Sequence, residues 1–365
     1  MTPLPADQIK RVVVRGTNWV GDSVMTIPAL RALRKVLPAA QITLVLRPGA
    51  KGLFADADFI DEVLVYDRRN VFSAIKQMRL WKKRSFDLAI SFQNAFEAAL
   101  IPLMAGIPFR LGYATEGRQS LLTHPITLPE WRSSRHEVFY YLYLITALEQ
   151  ALYQTSTICE ADPDTSLDVS PKRKDKARKL LASFGVKEGP MVVAICPGSI
   201  NSRAKRWSAD SYAALADRLI TDGRTVVVVG SKAERDVALE VIGKMRKKPV
   251  DLTGKTSVEE LTAILATVDL LVTNDTGPAH IAAALGRPTL VIFGPTNPLT
   301  TRPLSGQAQI LRHPPDCAPC MLRDCPIDHR CMTAITVDEV TEQATGLLKR
   351  SSFAKTVRSL CDSVA

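Results

Sequence analysis

One carboxylate in a glycine-bounded turn is the first residue of this chain placed to do chemistry. Asp22 lies in Gly16-Thr17-Asn18-Trp19-Val20-Gly21-Asp22-Ser23, directly after an apolar run. The spacing is that of a phosphate-binding loop, but Asp22 stands where such a loop carries lysine. A carboxylate there repels phosphate, which argues against nucleoside triphosphate hydrolysis, and no GxGxxG fingerprint follows the run. Two readings stay open: a general base at the mouth of a strand-to-helix turn, or the N-cap of a helix starting near Val24. Trp19 is either a wall of the site or a core anchor.

The second half holds cations and hydroxyls in comparable positions. Cys196-Pro197-Gly198-Ser199 follows another apolar run, with Ser202, Arg203, Lys205 and Arg206 soon after. Three cations, hydroxyls and a glycine on one loop suit a diphosphate, and a solvated basic loop is the alternative. Thr273-Asn274-Asp275-Thr276-Gly277-Pro278-Ala279-His280 ends a further run and opens a helix, with Pro278 near the first helical position. Backbone N–H groups at Thr276 and Gly277 can hold phosphate oxygens there. His280, on the first turn, fits a ligand contact, a core position or a cap. Glu234 sits beyond its own strand, either accepting hydrogen bonds from ribose hydroxyls or facing water. Gly294-Pro295-Thr296 is expected to border the same cleft.

Four of the seven cysteines cluster as Cys317-x2-Cys320-x4-Cys325-x5-Cys331, with His313 and His329 nearby. Such close spacing is compatible with a structural zinc site, with reduced thiols in a packed loop, or with disulfides formed on oxidation. This cluster is not expected at the active site. No DxD-like carboxylate pair stands at a strand end, so no catalytic metal is expected.

These residues need a scaffold, and the pattern around them describes one. From Arg11 onward, short β-branched runs alternate with segments of helical period, the form of an α/β chain with parallel sheets. Strands are expected at Arg11–Arg15, Gln41–Leu46, Glu62–Tyr66 and Asp87–Phe92, with helices at Val24–Leu37, Val71–Trp81 and His136–Leu152. A polar, charged linker or its edge is expected between about Cys159 and Lys179. A second series follows, with strands at Met191–Ile195, Thr225–Val229, Asp269–Thr273 and Thr289–Phe293. Its helices are Ala209–Ile220, Glu234–Met245, Val258–Ala266 and Pro278–Leu285. The expected architecture is two Rossmann-like, doubly wound parallel-sheet domains facing a cleft, residues 1–165 and 175–350, with ligands beyond the carboxyl ends of the strands.

Composition bounds the partners. The 365 residues are 46% hydrophobic and carry a net charge of +10, which favours an anionic partner and excludes wholesale disorder. No basic patch is interleaved with aromatic residues in the manner that stacks on bases, so nucleic acid is not expected. The longest apolar stretch, Ala98–Phe109, is short and broken by Pro102, Gly106 and Pro108, and the start lacks a secretory core. A cytosolic protein follows as the expectation.

Taken in order, RGTNWVGDSVMTIPALRALR, LAISFQNAFEAALIPLMAGIPFRLGYATEGRQSLLT, CPGSINSRAKRWS, NDTGPAHIAAALGRPTLVIFGPTNP and CAPCMLRDCPIDHRCM resemble the lipopolysaccharide heptosyltransferases, glycosyltransferase group nine of the GT-B class. The resemblance covers most of the chain. It implies inverting transfer of L-glycero-D-manno-heptose from ADP-heptose to the first heptose of the lipopolysaccharide inner core. It further implies Asp22 as the base, Lys205 on the donor diphosphate, Ser199, Asp275, Thr276, Gly277 and His280 lining the donor site, and Glu234 near the ribose. No cofactor is implied, ADP-heptose being a substrate. The implied partner is a phosphorylated inner-core acceptor, met by a cytoplasmic protein in peripheral contact with the inner membrane. A sister heptosyltransferase, a nucleotide-sugar epimerase of the same fold and a non-enzymatic module binding anionic glycolipid are the competing readings.

Overall fold

The computed structural model describes residues 3–155, 157–158 and 163–364, the backbone alone over 352–364. The chain divides into two compact units, Met1–Thr165 and Ser166–Ala365. In the first, a six-stranded parallel sheet comprises β1 (Arg11–Arg15), β2 (Gln41–Leu46), β3 (Glu62–Val65), β4 (Leu88–Ser91), β5 (Phe109–Tyr113) and β6 (His124–Ile126). Its helices are α1 (Val20–Met25), α2 (Ile27–Val36), α3 (Val71–Arg84), α4 (Phe96–Met104) and α5 (Glu137–Tyr153). Strand order is β3-β2-β1-β4-β5-β6. Helices cover both faces of such a sheet, so the central strand is a continuous apolar run: Val12, Val13 and Val14 are all fully buried. Each contributes roughly 1.5–3 kcal/mol by leaving water.

The expected helix Val24–Leu37 is two helices meeting at Thr26. Pro28 has no N–H to give the carbonyl one turn back, and its ring crowds that carbonyl, which favours a break just ahead of it. The break is closed locally, with Thr26 Oγ1 donating to the Ser23 carbonyl at 2.7 Å. Helix α3 begins at a capping box in which Asn70 and Ser73 exchange hydrogen bonds, and ends at Ser85 in the left-handed region. Trp81 anchors it in the core, its ring edge-on to Phe86 at 6.2 Å beside Val13, Ala89 and Ile101.

The second unit repeats the plan. Its sheet holds β7 (Val192–Cys196), β8 (Thr225–Val228), β9 (Val250–Asp251), β10 (Leu270–Asn274), β11 (Thr289–Ile292) and β12 (Ala308–Leu311). Its helices are α6 (Pro171–Ser183), α7 (Ala209–Thr221), α8 (Arg235–Lys244), α9 (Val258–Leu265), α10 (Gly277–Ala284), α11 (Pro298–Thr301), α12 (Arg330–Thr333) and α13 (Val337–Val364). Strand order is β12-β11-β10-β7-β8-β9. Counted within each unit, both sheets therefore have the Rossmann order 3-2-1-4-5-6, as the alternating pattern led one to expect. The order reverses between β1 and β4 in one unit and between β7 and β10 in the other, where the pairs are hydrogen-bonded neighbours.

Two expectations are corrected. Helix α6 occupies much of the stretch read as linker; it is polar because it buries little beyond Ala177 and Leu181. The second unit thus starts ahead of residue 175, the Leu167 N–H donating to the Ala284 carbonyl at 2.9 Å. Cys159–Asp162, also in the expected linker, lie outside the described residues. Strands β5, β6, β9 and β12 were not expected from periodicity, being short, at or near the sheet edges, or interrupted by Arg110, Gly112 and Pro125.

Replacing the buried Trp81 by alanine is expected to destabilise the first unit by about 3–5 kcal/mol. Urea unfolding followed by far-ultraviolet circular dichroism measures this, and a loss below about 1 kcal/mol would remove Trp81 from the supports of that core.

Candidate active site

In the first unit the loop after β1 is held by its own polar groups. Gly16 leaves β1 so close to β2 that a Cβ would fall 2.7 Å from the Leu46 side chain. The buried Arg15 guanidinium donates to the Gly16 carbonyl at 2.7 Å and to Asn18 Oδ1 at 3.2 Å. Arg47 reaches the same Asn18 oxygen from the end of β2. Burial, with Arg47 adding repulsion, pulls the Arg15 pKa down to about 10. Thr17 and Ser23 share a hydroxyl hydrogen bond of 3.0 Å, and Ser23 Oγ donates to the Trp19 carbonyl at 2.9 Å. These contacts start helix α1 at Val20, with Trp19 as its N-cap.

Asp22 is therefore not the helix cap. It lies within the first turn of α1 and is half-buried. Trp19 is about half exposed, which removes the core-anchor reading. From α5, the buried Tyr141 phenol feels the Asp22 charge; burial first, and that charge second, hold its pKa well above 10. Glu137 stands beside it, ion-paired to Arg132 at 2.6 Å, with burial pushing its pKa up against the pull of that arginine. Tyr141, Glu137 and Arg132 were absent from the sequence reading, since nothing in the spacing of α5 ties it to the loop after β1.

In the second unit the loops after β7 and β10 meet at the switch point. Lys205 Nζ lies 2.7 Å from Asp275 Oδ2, and Thr296 Oγ1 donates to that same oxygen at 2.7 Å. The Asp275 side chain is only 5% exposed and that of Lys205 25%, so the ammonium is aimed by a buried carboxylate while part of it still meets solvent. The other cations do not join it. Arg206 turns back onto the Ser199 carbonyl at 2.8 Å, and Arg203 pairs with the exposed Asp324 at 2.6 Å. Of the three cations on this loop, Lys205 is the one seated with Asp275 at the end of β10.

Asn274 joins the pieces, and sequence reasoning gave it no role. Fully buried, it donates to the Pro197 and Gly198 carbonyls and accepts from the Trp207 N–H and the Tyr212 hydroxyl. Glu234 is buried as well, against the reading that has it facing water. Its Oε2 accepts from the Ser231 N–H at 2.8 Å, and its other oxygen lies against Gly198, where a Cβ would approach within 2.5 Å. Ser199, next in the chain, is likewise buried. Thr276 N-caps α10 through its backbone, its hydroxyl sharing a hydrogen bond with Thr273, and His280 is buried on the first turn behind Gly277. Burial keeps the Cys196 thiol neutral, its pKa well above the ordinary range.

The cysteine loop lies directly behind the Lys205 turn. The Arg323 carbonyl accepts from Ser202 Oγ at 3.1 Å and the Ala204 N–H at 2.9 Å, and His329 Nε2 contacts the Ala204 carbonyl at 2.5 Å. Cys317, Cys320, Cys325 and Cys331 line a narrow cavity of about 20 Å³ with Ala204 and Pro295. None of the four is in a disulfide, and burial followed by the neighbouring thiols pushes the Cys331 pKa up. Among the described residues no group of three or more His, Cys, Asp or Glu side chains is placed to hold a metal ion, so the zinc reading gains no support.

Known proteins share the sequence pattern and the fold of this chain. The model of glycosyltransferase family 9 (heptosyltransferase) matches residues 74–330. Lipopolysaccharide heptosyltransferase 2 of Escherichia coli K12 is 27% identical over 317 residues, covering 83% of this chain and 88% of that protein. Lipooligosaccharide heptosyltransferase 2 of Haemophilus influenzae is 30% identical over 316 residues, covering 82% and 88%. The solved structure of E. coli ADP-heptose lipopolysaccharide heptosyltransferase II matches with a TM-score of 0.79 at 28% identity, over 94% of this chain and 99% of that one. A family 9 glycosyltransferase from Veillonella parvula shares the fold, with a TM-score of 0.80 at 23% identity. With a family model spanning most of its length and relatives matched nearly end to end, this chain belongs to glycosyltransferase family 9, the heptosyltransferases.

Proposed function

We propose that this protein transfers L-glycero-D-manno-heptose from ADP-heptose to the first heptose of the lipopolysaccharide inner core, with inversion at the anomeric carbon. The first unit takes the acceptor and the second the donor. The observation that carries this reading is the Lys205–Asp275–Thr296 cluster at the switch point of a Rossmann-ordered sheet, in a member of the heptosyltransferase family. Nucleotides bind at such switch points, and a half-buried ammonium aimed from one is suited to a diphosphate. Heptosyltransferase 2 proteins are the relatives that support the choice of acceptor.

The chemistry follows from the two loops. A sugar hydroxyl is a weak nucleophile, so Asp22 takes its proton as the new bond to the anomeric carbon forms. The bond from that carbon to the β-phosphate oxygen breaks at the same time, and ADP leaves with growing negative charge. Lys205 and the N-terminal end of α10 at Thr276 and Gly277 offset that charge. Asp275 orients Lys205, while Glu234, packed on Gly198, lies near the ribose beside Ser199. His280 backs the α10 turn from below. Tyr141, whose phenol stays neutral, does not compete with Asp22 for the acceptor's proton. The acceptor is a phosphorylated glycolipid, and the +10 charge draws the protein to the cytoplasmic face of the inner membrane.

Asp22→Asn is expected to keep ADP-heptose affinity while lowering kcat at least ~100-fold. The measurement is acceptor-dependent ADP release, paired with donor binding by calorimetry; an unchanged rate would take the base role from Asp22, and no release by the native protein with any core acceptor would overturn the transfer itself. Lys205→Ala is expected to weaken ADP-heptose binding roughly 10- to 100-fold, the worth of a charge-assisted contact. Unchanged donor affinity in the same calorimetric titration would remove Lys205 from the diphosphate site.

A further inference from the structure

The first unit carries a surface that the transfer chemistry does not use. Helix α4 reads FEAALIPLM and buries Ala98, Ala99, Ile101 and Pro102, yet it is apolar on its outer side too. Phe96, Leu100 and Met104, at i, i+4 and i+8, form one stripe and are 47%, 36% and 58% exposed. Helix α3 packs against α4 and opens with Val71 and Phe72, 73% and 78% exposed. Along the face that Phe72 begins, Lys76, Arg79 and Lys83 follow at helical spacing, all exposed, with Lys82 beside them. The helix contains no acidic residue. The nearby arginines Arg68, Arg69 and Arg84 are already matched to Glu97, Asp67 and Glu62. Lys76, Arg79, Lys82 and Lys83 form no ion pair among the described residues.

A contiguous apolar stripe flanked by unmatched cations is the composition that seats a helix at a lipid interface. The apolar side chains enter the headgroup boundary, and the cations meet anionic phosphate. No helix among the described residues is long and apolar enough to cross a membrane, so the contact is with its surface. We infer that the α3–α4 face docks this protein on an anionic phospholipid bilayer. This rests on the reading above that the acceptor is a membrane glycolipid. Strand β4, which leads into α4, is the hydrogen-bonded neighbour of β1, which leads to Asp22. Docking by α4 therefore sets the lipid surface on the side of the sheet edge where the acceptor hydroxyl must arrive.

The test is sedimentation of the full-length protein with vesicles of phosphatidylethanolamine and phosphatidylglycerol, about 3:1, compared with pure phosphatidylcholine at 0.1 M salt. The native protein is expected to partition onto the anionic vesicles and not the neutral ones. At about 1 kcal/mol per cation, Lys76→Gln/Lys83→Gln is expected to lose ~30-fold of that partitioning. Phe96→Ser/Met104→Ser, at positions already in solvent, is expected to lose at least ~10-fold. Both variants are expected to keep native transfer to a de-acylated, water-soluble acceptor, which separates loss of docking from loss of folding. Absence of native binding to anionic vesicles, equal binding to neutral ones, or variants that bind as well as the native chain would overturn the inference. A native dimer by light scattering that Phe96→Ser/Met104→Ser converts to monomer would overturn it too, giving the face to a second copy. Native transfer absent with the soluble acceptor, but vesicle binding intact, would strike the proposed function and leave the docking surface standing.

Discussion

At the end of β10 the side-chain amide of Asn274 is fully buried, and it makes four hydrogen bonds to two different segments. Both donors go to carbonyls of the Pro197–Gly198 turn, and the oxygen accepts from the start of α7 and from Tyr212. An amide of this kind is stable in a protein interior only when every donor and acceptor is engaged, since each one left unmade costs about 1–3 kcal/mol. That constraint sets the register between the loop after β7 and the strand after it in the sheet. The Lys205–Asp275 pair depends on it, because Asp275 is the next residue and Lys205 lies between the two turns that Asn274 holds.

The two units share one topology and use it for opposite electrostatics. At the first switch point, arginine side chains are spent on backbone carbonyls and on Asn18, building a rigid turn whose helix presents a carboxylate. At the second, a buried carboxylate holds a lysine whose ammonium stays partly exposed. In each case a partly exposed charge follows a turn that buried polar groups tie down. The cost of burying those groups is offset by near-complete hydrogen bonding.

Behind the second site, the cysteine loop acts as a brace. Ser202, Ala204 and Pro295 are tied to its backbone, so the turn carrying Lys205 is clamped from both sides. Gly294 has no room for a side chain because Met332 and Cys331 lie within van der Waals reach of its missing Cβ. Of the four thiols only that of Cys331 is buried, while Cys317 and Cys320 stay exposed at the rim of the loop.

Strand and helix periodicity, with the order of the loops, was sufficient to read two doubly wound units and to place Asp22, Lys205 and the Asp275–His280 segment at strand ends. That succeeded because strands buried on both faces must be apolar throughout, and because glycine- and hydroxyl-containing turns mark where such strands stop. The motif resemblance carried the family in the same way, through local runs of residues. What periodicity could not convey was decided by neighbours distant in the chain. The edge strands β6, β9 and β12 lack a buried apolar run, the polar helix α6 has almost no inward face, and one expected helix is divided into two just ahead of Pro28. Asp22 as a first-turn residue rather than a cap, Asn274 as the buried tie, Asp275 as the partner of Lys205, and the cysteine loop behind them all arise from contacts across the sheet. Local pattern reports which side chains a segment must bury; only the fold determines which polar groups are buried together, and those groups set the geometry of the site.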